Sequence, residues 1–212
     1  MTRTTSTRLP ELMSRERADL DALLAASMVG HIAFVDEDGG PGVLPSAIVP
    51  FGDGIVVHGS TGSRWMRRIA TGVPVVVSVT AVDGIIVARS AFESSLAYRS
   101  AVLFGTFRAL DGTQKQAALD ALTEHLIPGR VREVRPSTKR ELAATLVVFM
   151  PIDEWSLRVS DGWAEDPECD VAGDAWSGQV RYGERPATSM DAPDLRTGIP
   201  RPPSIDAICP SG

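Results

Sequence analysis

The sequence predicts a mainly β, α+β fold, an antiparallel barrel with helices inserted between its strands. Three observations predict it. Short β-prone runs recur as far as Ser160 and are separated by Asp/Gly turns (Asp36-Glu37-Asp38-Gly39-Gly40, Gly52-Asp53-Gly54, Asp83-Gly84, Asp111-Gly112), which is how antiparallel hairpins read. About seven such runs are too many for one flat sheet of this size, and closure into a barrel hides the edges. Segments of helical period fall between the runs rather than after them.

Composition narrows the class. A chain of 212 residues can hold a domain with a substantial core plus extensions, and 43% hydrophobic with 23% charged residues is ordinary for a soluble protein. The formal net charge of −6 argues against nucleic-acid and anionic-membrane partners, so an anion site must be a local basic pocket. No apolar run reaches membrane-spanning length and none follows Met1–Pro10. Cys169 and Cys209 lie in polar surroundings, and His31, His58 and His125 are scattered, so neither a disulfide framework nor a metal cluster is expected. A cytoplasmic, metal-free protein is the expectation.

Residues 1–13 read as a flexible arm. Ser14 is placed to cap a helix through about Ser27, with Leu20, Leu23 and Leu24 on one face. Val29–Val35 is the first strand, Gly42–Phe51 the second, and Ile55–Val57 begins the third. After a helix from Ser63, Val73–Thr80 is the most β-prone stretch, and Asp83-Gly84 is expected to turn the chain into Ile85–Ala88. Tyr98–Leu110 carries a long strand pattern. Thr113–Ile127 is helical, with Ala118, Leu119, Leu122 and Leu126 on one face and Pro128-Gly129 as the stop. A short helix over Thr138–Ala143 and strands over Thr145–Met150 and Ile152–Val159 complete the domain, 14–159. Residues 160–212 are rich in Gly, Pro, Asp and Arg without apolar period, an irregular extension anchored by Trp163 and Trp176.

The stretch Val57–Ile69 organises the rest. A strand enters a turn of His58, Gly59, Ser60, Thr61, Gly62 and Ser63, and a helix follows with Arg64, Arg67 and Arg68 beside Trp65, Met66 and Ile69. Unused N–H groups, hydroxyl donors and guanidinium forks at a helix start suit a phosphate. An ordinary N-cap with solvated arginines is the other reading. No Gly-Lys-Ser/Thr follows, and the glycine spacing is not that of a dinucleotide fingerprint. His31 reads as a core histidine and His58 as a structural one. Tyr98 is a ring-stacking or interface aromatic, or core. Arg89 and Arg99 are surface or interface charges, and Arg130, Arg132, Arg135 and Arg140 are solvated helix ends or a receptor for an anionic substrate.

Five segments carry a resemblance: Val43–Ala47, His58–Arg64, Asp83–Ser90, Tyr98–Gly105 and Trp176-Ser177-Gly178. Their order resembles the pyridoxamine 5′-phosphate oxidase-like FMN-binding split barrels, most closely the flavin-nucleotide-binding branch that includes nitroimidazole-resistance-type proteins. The resemblance spans roughly residues 14–180 and implies an antiparallel split β-barrel, homodimeric, with FMN in two clefts lined by both subunits. It implies that Leu44, Pro45, Ser46, Ala47 and Ile48 follow the flavin ring and ribityl chain. It implies that His58, Gly59, Ser60, Ser63 and Arg64 form the phosphate turn, with Arg67 as a second cation. Ser100 would come near the ring from the partner, Trp176 would approach the same cleft, and the extension would pack on the barrel or the partner subunit. A bend at Pro45 would free neighbouring backbone groups for the ligand, while the redox chemistry would belong to the flavin.

One departure matters. Pyridoxamine-phosphate oxidases end with a Phe-Trp segment and an Arg-Leu-His-Asp-Arg motif, where this chain has Trp155-Ser156-Leu157-Arg158 and Trp176-Ser177-Gly178-Gln179. Vitamin B6 oxidation is therefore in doubt. The resulting expectation is an FMN-dependent oxidoreductase passing electrons between a reductant and a small-molecule substrate, with no side chain assigned a catalytic role. The alternatives are a non-catalytic flavin-binding protein for storage or sensing, and the same barrel holding haem or a deazaflavin.

Overall fold

The computed structural model describes residues 3–182 and 202–208. A 3-10 turn at Pro10–Leu12 leads to strand β1 (Met13–Ser14) and helix α1 (Arg17–Ala26). Strands β2 (Val29–Val35), β3 (Pro41–Ala47), β4 (Val49–Phe51) and β5 (Gly54–Ser60) then run into helix α2 (Arg64–Ala70). The long hairpin of β6 (Pro74–Val87) and β7 (Ser95–Thr106) comes next, followed by β8 (Arg108–Ala109) and helix α3 (Gly112–Leu126). After α4 (Lys139–Ala144) come β9 (Thr145–Pro151), β10 (Glu154–Ser160), α5 (Glu168–Val171), β11 (Gly178–Arg181) and α6 (Pro203–Ile208). The fold is mainly β, as the sequence predicts.

Two antiparallel sheets make the split barrel. The larger has seven strands in the order β1-β10-β7-β6-β2-β3 with β11 on β6, and the smaller runs β4-β5-β9-β8. The chain crosses between them at single buried residues. Ile48 separates β3 from β4, and Phe107 separates β7 from β8. Gly30 makes the first crossing possible, since a Cβ there would lie 2.9 Å from Ile48 Cγ2. The run Gly42–Phe51 is thus two strands in two sheets, because the buried Ile48 ends one ladder and starts the other.

Alternation decides which side faces inward. Leu20, Leu23 and Leu24 of α1 join Ile32, Val77, Leu103, Leu157 and Met150 in the main core, each at most 1% exposed. Full burial of such a side chain is worth about 1.5–3 kcal/mol. In β5, Ile55 and Val57 point to this core, while Val56 joins Ala118 and Leu122 of α3 in a second cluster. That leaves β5 buried on both faces.

Four local expectations change. Helix α1 begins at Arg17 because Ser14 lies in β1; its hydroxyl accepts the Glu16 N–H at 3.1 Å and donates to Asp19 at 2.6 Å. Asp83-Gly84 is not a turn but a bulge inside β6, with the register shifting between Val82 and Gly84. The reason is close packing: a Cβ on Gly84 would sit 2.3 Å from the carbonyl oxygen of Val180 in β11. The extension 160–212 supplies β11, which four ladder positions on β6 hold without any apolar period. Trp163 and Trp176 are exposed in the single chain. Of the expected flexible arm, residues 3–13 lie against the sheet, where the Arg3 guanidinium stacks 4.4 Å from the Phe104 ring centre and pairs with Glu154.

Candidate functional site

The β5–α2 turn is built from short-range bonds. Gly59 allows α2 to pack on β5, since a Cβ would meet Met66 Cγ at 2.9 Å. Ser63 N–H donates to Ser60 O at 2.9 Å, Gly62 N–H to Ser60 Oγ at 3.1 Å, and Thr61 N–H to Ala144 O at 2.9 Å, which ties the turn to α4. The first bond of the helix is Arg67 N–H to Ser63 O at 3.1 Å. The helix itself therefore leaves the N–H groups of Arg64, Trp65 and Met66 unused. Ser63 sits at the N-cap, yet its hydroxyl makes no capping bond. Met66 and Ile69 are buried and Arg64 and Arg67 exposed, so the amphipathic helix turns its cations outward.

Arg64 and Arg68 reach the end of β2 and the turn after it: Arg64 pairs with Asp36 and Arg68 Nε donates to Val35 O at 3.0 Å, while Arg67 Nη1 donates to Thr61 O at 3.3 Å within the β5–α2 turn. The Glu37 N–H, and then Arg64 against the opposing effect of burial, hold the Asp36 carboxyl below the usual carboxylate range. The Arg64–Asp36 pair is exposed and hence weak, so an incoming dianion can compete for the guanidinium. A phosphate fits what this turn offers.

Strand β3 closes one side. It is the edge of the larger sheet and packs against β5. Leu44 pairs with Ile32 and packs on the core, Ser46 pairs with Gly30, and the exposed Pro45 pairs with His31. Ile48 turns its side chain fully into the core and gives its N–H to Met28 O at 3.3 Å. His31 is exposed rather than in the core, because Gly30, Ile32 and Phe34 take the inward positions of β2. His58 pairs with Val147 in the β5–β9 ladder. Its Nδ1 is shielded from solvent with no hydrogen-bond partner, and burial depresses its pKa, so the ring is held neutral.

Two expected site residues stand apart from this group within one chain. Ser100 lies on β7, three strand steps from β3, or about 14 Å at the usual spacing. It pairs with Thr80 and with Arg158. Trp176 is exposed beside Gly178, which pairs with Val87, and Val87 is about 33 Å along β6 from Val77.

Several charges have tasks that the sequence did not show. Arg89 pairs with Asp166 at 2.9 Å, and Arg99 makes two bonds to Asp83 at 2.9 and 2.8 Å. Burial pushes the Asp166 carboxyl up, but the Arg89 N–H and guanidinium outweigh it and leave the pKa lowered. The basic cluster is partly neutralised, with Arg130 on Glu133 and Arg135 on Glu141. Arg135, then the Thr138 N–H and hydroxyl, pull Glu141 down to about 2. Cys169 is exposed and unpaired, and Cys209 lies outside the described residues. Among the described residues no group of His, Cys, Asp or Glu could hold a metal ion, and no helix is long and apolar enough to cross a membrane. Sequence reasoning missed Arg158. The alternation Ser156-Leu157-Arg158 in a strand, with Leu157 inward, was the available signal.

Comparison with known proteins agrees with the fold. The family model for pyridoxamine 5′-phosphate oxidase matches residues 16–159. The structure of the FAD and haem binding protein from Mycobacterium smegmatis is 46% identical, with TM-score 0.89, over 93% of this chain and 97% of that one. The flavocytochrome Anf3 from Azotobacter vinelandii is 27% identical, also with TM-score 0.89, over 98% of this chain and 97% of that one. A candidate 5-nitroimidazole antibiotic resistance protein from Bacteroides thetaiotaomicron shares the fold at 15% identity and TM-score 0.59, over 69% of this chain and 86% of that one. No curated protein matches. By the extent of the family match and of the alignment at 46% identity, the chain belongs to the pyridoxamine 5′-phosphate oxidase family.

Proposed function

We propose that the chain binds a flavin nucleotide by its phosphate at the β5–α2 turn and works as an oxidoreductase at the interface of a homodimer. The observation that carries this reading is the turn itself, where unused N–H groups, the Ser63 hydroxyl and two outward arginines converge beside the β3 edge. Arg64 and Arg67 neutralise the phosphate, and the β3 backbone around Pro45 lies along the ring. Ser100 and Trp176 complete the cleft from the second subunit. The flavin, when bound, supplies one- and two-electron transfer. FMN satisfies the turn, and FAD does so with an added nucleotide.

The test is binding of FMN and of FAD to the purified protein, followed by absorption and calorimetry. Arg64→Ala is expected to weaken the affinity about 10- to 100-fold, the worth of a charge-assisted contact. No binding at tens of micromolar rejects the flavin reading. Bleaching of the bound flavin by NADH or NADPH separates an enzyme from a storage or sensing protein.

A second reading adds haem, favoured by the 46% identical relative whose structure is that of an FAD and haem binding protein. Two imidazoles could ligate the iron of a bound haem. His58 is neutral with an unpartnered nitrogen, and His31 stands on the exposed sheet face beside Val29 and Val43. His125 is engaged with Ser27 O at 3.2 Å. Added haem is expected to give a Soret band that His31→Ala or His58→Ala removes; loss in neither variant rejects both as ligands.

A further inference from the structure

Strand alternation sends Ser100 of β7 and Ser156 and Arg158 of β10 to the outer face of the larger sheet, opposite the core face of Ala101 and Leu157. The N-terminal arm crosses this face. Between arm and sheet lies a cavity of about 240 Å³, lined among others by Ser6, Ser100, Ser156, Arg158 and Arg3. It shares Thr4, Thr5, Ser6, Met13 and Ser156 with a neighbouring cavity of about 350 Å³ that reaches Arg15 and Trp155. The two form one groove within the size range of small-molecule sites.

The charges in the groove are unbalanced. Glu154, the carboxylate on this face, is taken by both ends of the Arg3 fork. Arg158 makes one long bond, Nη1 to Arg8 O at 3.4 Å, and its Nε is shielded from water without an acceptor. A buried guanidinium N–H without an acceptor is costly, and an acceptor-only group beside it removes that cost. The Ser156 hydroxyl supplies a further donor that a planar carboxylate or a tetrahedral phosphate needs.

We infer that this groove is a second anion-binding site, distinct from the β5–α2 turn, in which Arg158 receives the phosphate or carboxylate of a small molecule under the strap of residues 3–6. The ligand is a separate anionic small molecule, and this anion site does not rest on the flavin reading above.

The experiment is calorimetric titration of inorganic phosphate into the full chain loaded with FMN, which fills the β5–α2 turn. Saturable binding at one site per chain is expected, weakened at least tenfold in Arg158→Gln and less in Arg158→Lys, which keeps the charge and loses the fork. Circular dichroism and melting establish that both variants are folded. FMN affinity is expected to stay within about twofold in Arg158→Gln, while Arg64→Ala shows the reverse pattern. The inference is overturned if wild-type protein gives no saturable phosphate binding, or if folded Arg158→Gln titrates like wild type. It is also overturned if the phosphate site disappears in Arg64→Ala instead. Should FMN fail to bind, the same phosphate titration on flavin-free Arg64→Ala protein still reads the Arg158 site.

Discussion

The two halves of β6 live in different surroundings. Val75, Val77 and Val79 lie at most 3% exposed in the main core, flanked by β7 on one side, with β2 reaching Val75–Ser78 on the other. Beyond the bulge, Ile85–Val87 have left β2 behind and instead carry β11, in a three-stranded ribbon with β7. Beside the buried Ile86, Ala88 and Ala97, a set of polar bonds fastens the ribbon. Asp166 accepts from the Arg89 backbone and guanidinium, Ser177 Oγ donates to Val87 O at 2.9 Å, and Gln179 Nε2 donates to Asp161 O and Gly162 O at 3.0 and 2.7 Å. One strand thus joins a body held by apolar burial to an arm held also by hydrogen bonds. The first should fail all at once and the second piecemeal.

The sharpest way to break that contrast is to damage each half and compare. Leu103→Ala, in a fully buried position opposite Val77, is expected to cost about 2–5 kcal/mol and to lower the midpoint of the whole cooperative transition in denaturant melts. A loss confined to a few amides would contradict the picture of one core. In the ribbon, Gly84→Ala forces a Cβ against the Val180 carbonyl oxygen, and Asp166→Asn removes the charge opposite Arg89. Both are expected to raise hydrogen exchange at Gly84–Val87 and Gly178–Arg181 while moving the global midpoint far less than Leu103→Ala does. Equal global effects would erase the distinction.

The smallest effect is with pH. Two bonds from Arg99 hold the Asp83 carboxyl below its ordinary value of 3.8, and Asp166 is likewise lowered. A depressed carboxylate gives its full stabilisation above the unfolded-state value and loses it as pH falls through the lower folded value. The ribbon is therefore expected to loosen below about pH 4, seen as increased exchange at the β11 amides before the barrel melts. Unchanged ribbon exchange down to the acid unfolding of the whole chain would show that these pairs contribute nothing to holding it.

The same division explains what could be read from the sequence. Alternation and helical period are local signals, so α1, α3 and the barrel strands could be read, with errors of a few residues at their ends. Asp83-Gly84 misled because the dipeptide that favours a tight turn also serves a bulge, and only the approach of Val180, nearly a hundred residues on, decides between them. Strand β11 has four residues and no apolar alternation, so nothing local announces it. His31 was misplaced by a parity error, since its strand neighbours Gly30 and Ile32 are the inward ones. The β5–α2 turn was readable because its donors are contiguous. Arg158 was not, because its surroundings come from the arm, β7 and β10 together.

The rim of the larger sheet has one more consequence. Strand β3 ends that sheet, and it carries Pro41 and Pro45. Neither has an N–H to give, so another chain's strand laid along this rim would find the row of donors interrupted twice in five residues. Growth of the sheet from chain to chain, the route to fibrils, is blocked here by covalent structure rather than by charge.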